Sequence, residues 1–93
     1  MKVEKAVVTV FGEVQGVGFR YTTRTLAQKH PVKGWVRNQP DGTVRMEVEG
    51  AAEALGRFFL AVKTSRLGSG ITRWEETRGP PVNMPSGFDV RYF

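Results

Sequence analysis

A chain of 93 residues with no cysteine and a formal net charge of +5 sets the first limits. The length fits one domain, residues 1–93, burying roughly 60–65% of the surface its unfolded chain would expose. The missing thiols exclude disulfides, thiolate metal sites and a thiol nucleophile, and the composition fits a reducing compartment. The charge favours anionic partners, yet Lys and Arg are dispersed, with no basic run that reads as a nucleic-acid tail. Met1-Lys2 is followed by charged Glu4 and Lys5, and the apolar run after them is too short for a signal segment or a membrane span. A soluble cytoplasmic protein, monomeric and without a membrane partner, is expected.

Residues 3–12 read as a first strand. Val8 and Val10 share one face and Val7, Thr9 and Phe11 the other, as in a central strand apolar on both sides. A glycine-rich loop, residues 13–19, follows. From Phe19 the positions Phe19, Thr23, Leu26, Ala27 and His30 trace one helical face, and Pro31 stops the helix. Lys33–Asn38 reads as a second strand and Gln39-Pro40-Asp41-Gly42 as a turn. In Thr43–Glu49, Val44, Met46 and Val48 face a core while Thr43, Arg45, Glu47 and Glu49 face water. A second helix covers 51–63, with Ala51, Leu55, Phe58, Phe59 and Val62 on its apolar stripe. Residues 64–70 read as loop, 71–77 as a fourth strand, 78–87 as a long irregular loop, and Phe88 onward as a last strand running to the C-terminus. The order βαββαβ with a terminal strand predicts a ferredoxin-like α+β sandwich: an antiparallel sheet of four to five strands with two helices on one face.

The stretch from Gly12 to Arg20 is the candidate for binding. Glycine-loop N–H groups and the N-terminus of a helix make an anion pocket, and Arg20 adds a planar, permanently charged fork suited to phosphate oxygens. The predicted topology brings in a second residue. In a split βαβ the first two strands run parallel with the third between them. Asn38, ending the second strand, therefore lies at the end where the loop leaves the first, about two strand spacings of 4.8 Å away.

Gly12-x-Val14-Gln15-Gly16-Val17-x-Phe19-Arg20, with Gly34-Trp35-Val36-x-Asn38-x-x-Asp41-Gly42-x-Val44, resembles the acylphosphatases over the whole chain. The resemblance implies hydrolysis of the carboxyl–phosphate bond of a small acyl phosphate, with inorganic phosphate as product and no metal or cofactor. It implies that phosphate is held by Arg20 and by the backbone N–H groups of Val14, Gln15, Gly16, Val17, Gly18 and Phe19, and that Asn38 holds the attacking water. Two stretches depart from the usual pattern. His30-Pro31-Val32 stands where many relatives have a small glycine-containing turn, and Arg66-Leu67-Gly68-Ser69-Gly70 where many carry Gly-Pro.

Other residues read more plainly. Glu13 and Asp41 are solvated turn carboxylates, His30 is a helix-end residue, and no Asp, Glu or His cluster has metal-ligand spacing. The rival is a nucleic-acid-binding βαββαβ module with aromatics on its middle strands. The outward residues of the third strand include no aromatic, so no obligate nucleic-acid partner is expected.

Overall fold

Residues 2–92, which the computed structural model describes, form β1 (Val3–Gly12), α1 (Phe19–Ala27), β2 (Val32–Asn38), β3 (Val44–Ala51), α2 (Ala52–Thr64), β4 (Ile71–Gly79) and β5 (Phe88–Arg91). A 3-10 turn, Gly68–Gly70, interrupts the loop before β4. The sheet order is β4-β1-β3-β2-β5. β1 is paired on both sides, as its two apolar faces required, although β3 holds the middle place. β1, β3, β2 and β4 pair antiparallel, but β5 runs parallel to β2, with Gly34 beside Phe88 and Arg37 beside Arg91. The sheet is therefore mixed, not antiparallel throughout. β4 continues two residues past the expected Thr77, to Gly79 opposite Lys5. Residues 80–87 then cross the end of the sheet where β2 begins, so β5 sets out in the same direction as β2. The expected run of this strand to the C-terminus includes Phe93, outside the described residues; β5 itself ends at Arg91.

Alternation puts Ala6, Val8 and Val10 of β1, Val36 of β2 and Val44, Met46 and Val48 of β3 on one buried face. Both helices cover that face. α1 contributes Phe19, Thr23 and Ala27, and α2 contributes Leu55, Phe58, Phe59 and Val62. The Phe58 ring lies 5.4 Å from Phe59 and 5.7 Å from Phe88, and Phe59 lies 5.5 Å from Trp74, in tilted or edge-on geometries that suit aromatic quadrupoles.

α1 stops at Ala27, a turn short of His30. The N–H groups of Lys29 and His30 donate to the carbonyls of Leu26 and Ala27 at 3.0 and 3.1 Å, a tightened i−3 pattern. Pro31 disfavours helical geometry at His30. The His30 ring still meets Phe58 at 5.9 Å, so the last residue of the apolar stripe packs from a turn.

On the opposite face Glu47 joins Lys5 and Arg45, at 2.7 and 2.8 Å. Two outward residues depart from expectation. Thr43 is buried, its hydroxyl donating to Asp41 Oδ1 at 2.6 Å. Glu49 points to this face but is only 2% exposed. The strap of residues 80–87 lies over it, and the N–H groups of Val82, Asn83 and Met84 donate to its carboxylate at 2.7, 3.0 and 3.1 Å. Lys33 stands 3.7 Å away. Burial alone would raise this carboxyl, but the three N–H donors and Lys33 outweigh it and hold it below the usual range. Among the described residues no helix is long and apolar enough to cross a membrane.

Candidate active site

The loop after β1 is fixed at its base. A register shift against β4 falls between Phe11 and Gly12, where the chain turns with φ 123° at Gly12. The Glu13 N–H donates to the Gly70 carbonyl at 2.8 Å, tying the loop to the 3-10 turn. Val14 packs its side chain into the core, and its N–H donates to the Gly12 carbonyl at 3.0 Å. That donor is engaged by Gly12 in this structure, and Val14 anchors the loop.

Gln15 provides the second anchor. Its Nε2 donates to the carbonyls of Gln39 and Thr43, at 2.7 and 2.9 Å, and so joins the loop to the β2–β3 turn. The turn is closed by Asp41, whose Oδ1 accepts from the Thr43 hydroxyl and N–H. The Thr43 hydroxyl, then its N–H, hold the Asp41 carboxyl below the usual value, which fits its expected role as a turn residue.

Beyond Gln15 the backbone turns through left-handed conformations at Gly16 and Gly18, φ 75° and 76°. Gly18 is the N-cap of α1. It has no side chain to cap the helix, and no acidic residue stands in the first turn. The first-turn N–H groups, Phe19 to Tyr21, thus have no intrahelical acceptor and carry partial positive charge. Among the described residues, none accepts from the N–H of Gln15, Gly16, Val17 or Gly18. Val17 is exposed at the tip, whereas the Phe19 side chain is buried and fixes where the helix begins.

Arg20 stands in that first turn. No carboxylate among the described residues lies within ion-pairing distance of it. Its guanidinium rests over the Tyr92 ring, 4.7 Å from the centroid, and the Tyr92 hydroxyl is hydrogen-bonded to that of Tyr21. This bond keeps the Tyr92 phenol protonated to higher pH than usual. Asn38 reaches the same end of the sheet from β2. It pairs with Val44, and Val44 pairs with Val10, so Asn38 stands level with the last turn of chain before the loop. Its Oδ1 is buried and has no hydrogen-bond partner among the described residues.

A family model for acylphosphatase matches residues 6–90. The chain belongs to the acylphosphatase family. A Pediococcus pentosaceus acylphosphatase is 42% identical over 81 residues, which cover 87% of this chain and 90% of that protein. One from Ligilactobacillus salivarius is 40% identical over 85 residues, covering 91% and 94%. The crystal structure of acylphosphatase from Bacillus subtilis matches with a TM-score of 0.88 at 36% identity, over 96% of this chain and 99% of that one. Acylphosphatases are hydrolases, so this chain is placed among enzymes rather than binding modules.

Within this acylphosphatase fold, the loop, Arg20 and Asn38 gather at one end of the sheet, as the predicted topology required. Sequence reasoning missed two contributors. The Gln15 side chain is a structural tie, while the sequence pointed only to its N–H. Arg66, in one of the two stretches that depart from the family pattern, donates to the loop at Val17. A cleft of about 640 Å³ lies at the other end of the sheet beside Pro31, Val32 and Pro81, and includes none of the site residues.

Proposed function

We propose that the protein hydrolyses the carboxyl–phosphate bond of small acyl phosphates, using the loop 15–19, Arg20 and Asn38. One observation carries this reading. At one end of the sheet stand N–H groups without acceptors, an arginine without a carboxylate and an amide oxygen without a donor, each among the described residues. The N–H groups and Arg20 suit the equatorial oxygens of a transferring phosphoryl group, where charge is spread in a loose transition state. Asn38 Oδ1 suits a water proton, which aims the water oxygen at phosphorus. As the new P–O bond forms, the bond to the acyl oxygen breaks and its electron pair leaves with the carboxylate. The water's proton passes to a phosphoryl oxygen. A carboxylate whose conjugate acid has a pKa of about 4–5 leaves without protonation, so the reaction needs no general acid.

Family membership supports this reading over a nucleic-acid-binding module. The one large ring on the open face of β2 supports it too: Trp35 is covered by Arg37 and Arg91, 5.2 and 5.0 Å from its centroid, and offers no bare surface for base stacking. The cysteine-free composition supports a cytoplasmic location.

The test is turnover of benzoyl phosphate with a chelator present. Asn38→Ala is expected to lower kcat by about 100-fold while inorganic phosphate still competes. Arg20→Ala is expected to lower the rate by about 1,000-fold and weaken that competition. An absence of turnover above background overturns the reading.

A further inference from the structure

Arg66 lies outside both motifs, in the turn that follows α2. Its guanidinium reaches back to the loop with two arms. Nη1 donates to the Val17 carbonyl at 3.1 Å, and Nη2 donates to Thr22 Oγ1 at 2.9 Å. Among the described residues no carboxylate is paired with it. A Cβ at Gly18 would come 3.1 Å from Nη2, so the fork lies close against this residue.

The Val17 carbonyl and the Gly18 N–H belong to one peptide unit. That unit is planar and trans, so its C=O and N–H point in opposite directions. Drawing the carbonyl toward Arg66 turns the Gly18 N–H away from it. Thr22, in the first full turn of α1, takes the other arm, so the loop peptide and the helix are oriented by one rigid group. With Gln15 holding the loop to the β2–β3 turn, the loop is braced from both sides.

We propose that Arg66 is a positioning residue for the phosphate loop: it locks the Val17–Gly18 peptide with the Gly18 N–H directed at the bound phosphoryl group. This rests on the reading of the loop as a phosphate cradle. Geometry, not charge alone, is the requirement, because a single ammonium cannot span the two acceptors as a planar fork does.

Arg66→Ala, Arg66→Lys and Thr22→Val are compared with the parent protein in two measurements. The first is inhibition of benzoyl phosphate turnover by inorganic phosphate. The second is the displacement of the Gly18 amide NMR signal when phosphate is added. Arg66→Ala is expected to weaken phosphate about five- to tenfold, to raise KM more than it lowers kcat, and to lose most of the Gly18 displacement. Arg66→Lys, with its charge kept, is expected to remain impaired in both. Thr22→Val, with no charge altered, is expected to show a smaller loss of the same kind. Full phosphate affinity and a normal Gly18 response in Arg66→Lys would mean that charge alone operates, and would overturn the proposal. So would parent-like behaviour of Arg66→Ala. If Arg66→Ala fails to fold, Arg66→Lys decides the same outcomes: impairment supports the positioning role, and parent-like behaviour overturns it. Arg20→Ala separates the two layers: phosphate inhibition intact in that variant defeats the cradle itself. Its loss there, beside parent-like Arg66 variants, defeats only the positioning role.

Discussion

Gly12 and Gly16 both carry positive φ, but they answer to different constraints. At Gly16 an added Cβ would meet nothing within 4 Å, so only the backbone conformation resists substitution. At Gly12 the same atom would fall 2.1 Å from the Gly70 carbonyl oxygen and 2.8 Å from the Thr72 nitrogen. Gly16→Ala is expected to cost about 1–2 kcal/mol, the left-handed penalty. Gly12→Ala adds a backbone collision to that penalty and is expected to cost clearly more, read as the difference in unfolding free energy from urea titration. Equal losses would show that the loop base yields freely. The motif made both glycines conspicuous in the sequence, yet it held no sign of why Gly12 matters more. That reason belongs to Gly70, which is remote in sequence and adjacent only after folding. The same holds for Arg66, whose partners lie 44 and 49 positions away, whereas Arg20 and Asn38 stood out because each sits in a local pattern.

The strands and helices were largely legible because their signals are local. Alternation in β3 and the i, i+3, i+4 stripes of α1 and α2 each follow from one element burying one face. What alternation cannot report is a cover added by another segment. Glu49 occupies the outward position it was read to occupy, and residues 80–87 bury it there. These residues form neither strand nor helix, and the strap is held by three N–H groups on one carboxylate. Because the folded pKa of Glu49 is depressed, its contribution is fully present above the unfolded value of about 4.3 and is lost as pH falls through the folded value. Glu49→Gln is expected to lower the thermal midpoint at neutral pH, since a neutral amide accepts these bonds less strongly. It is also expected to make the midpoint fall less steeply below about pH 4.3. Glu47, also depressed because Lys5 and Arg45 outweigh its burial, keeps part of the acid limb in that variant. Midpoints measured from neutral to acid pH decide the matter: curves that stay parallel throughout would remove Glu49 from the acid response.

Taken whole, the molecule combines a close-packed two-layer body with a proposed site built from backbone left uncommitted. The sheet joins β1, β3 and β2 through continuous ladders above a core that includes fully buried Phe58, Met46 and Leu55. At the end of that sheet, the N–H groups of Gln15 to Gly18 have no acceptor among the described residues. Amide hydrogen exchange should therefore divide the chain sharply. Protons in the ladders of β1 and β3 exchange only through opening of the fold, while those of residues 15–18 exchange without it. Saturating phosphate is expected to slow exchange most at these loop amides and to leave the ladders ordered as before relative to one another. Slowing spread evenly over the molecule would instead report a general gain in stability by mass action. If the proposed cradle holds, the loop's unclaimed hydrogens give the protein a built-in isotopic marker, recording ligand occupancy on a timescale separate from folding.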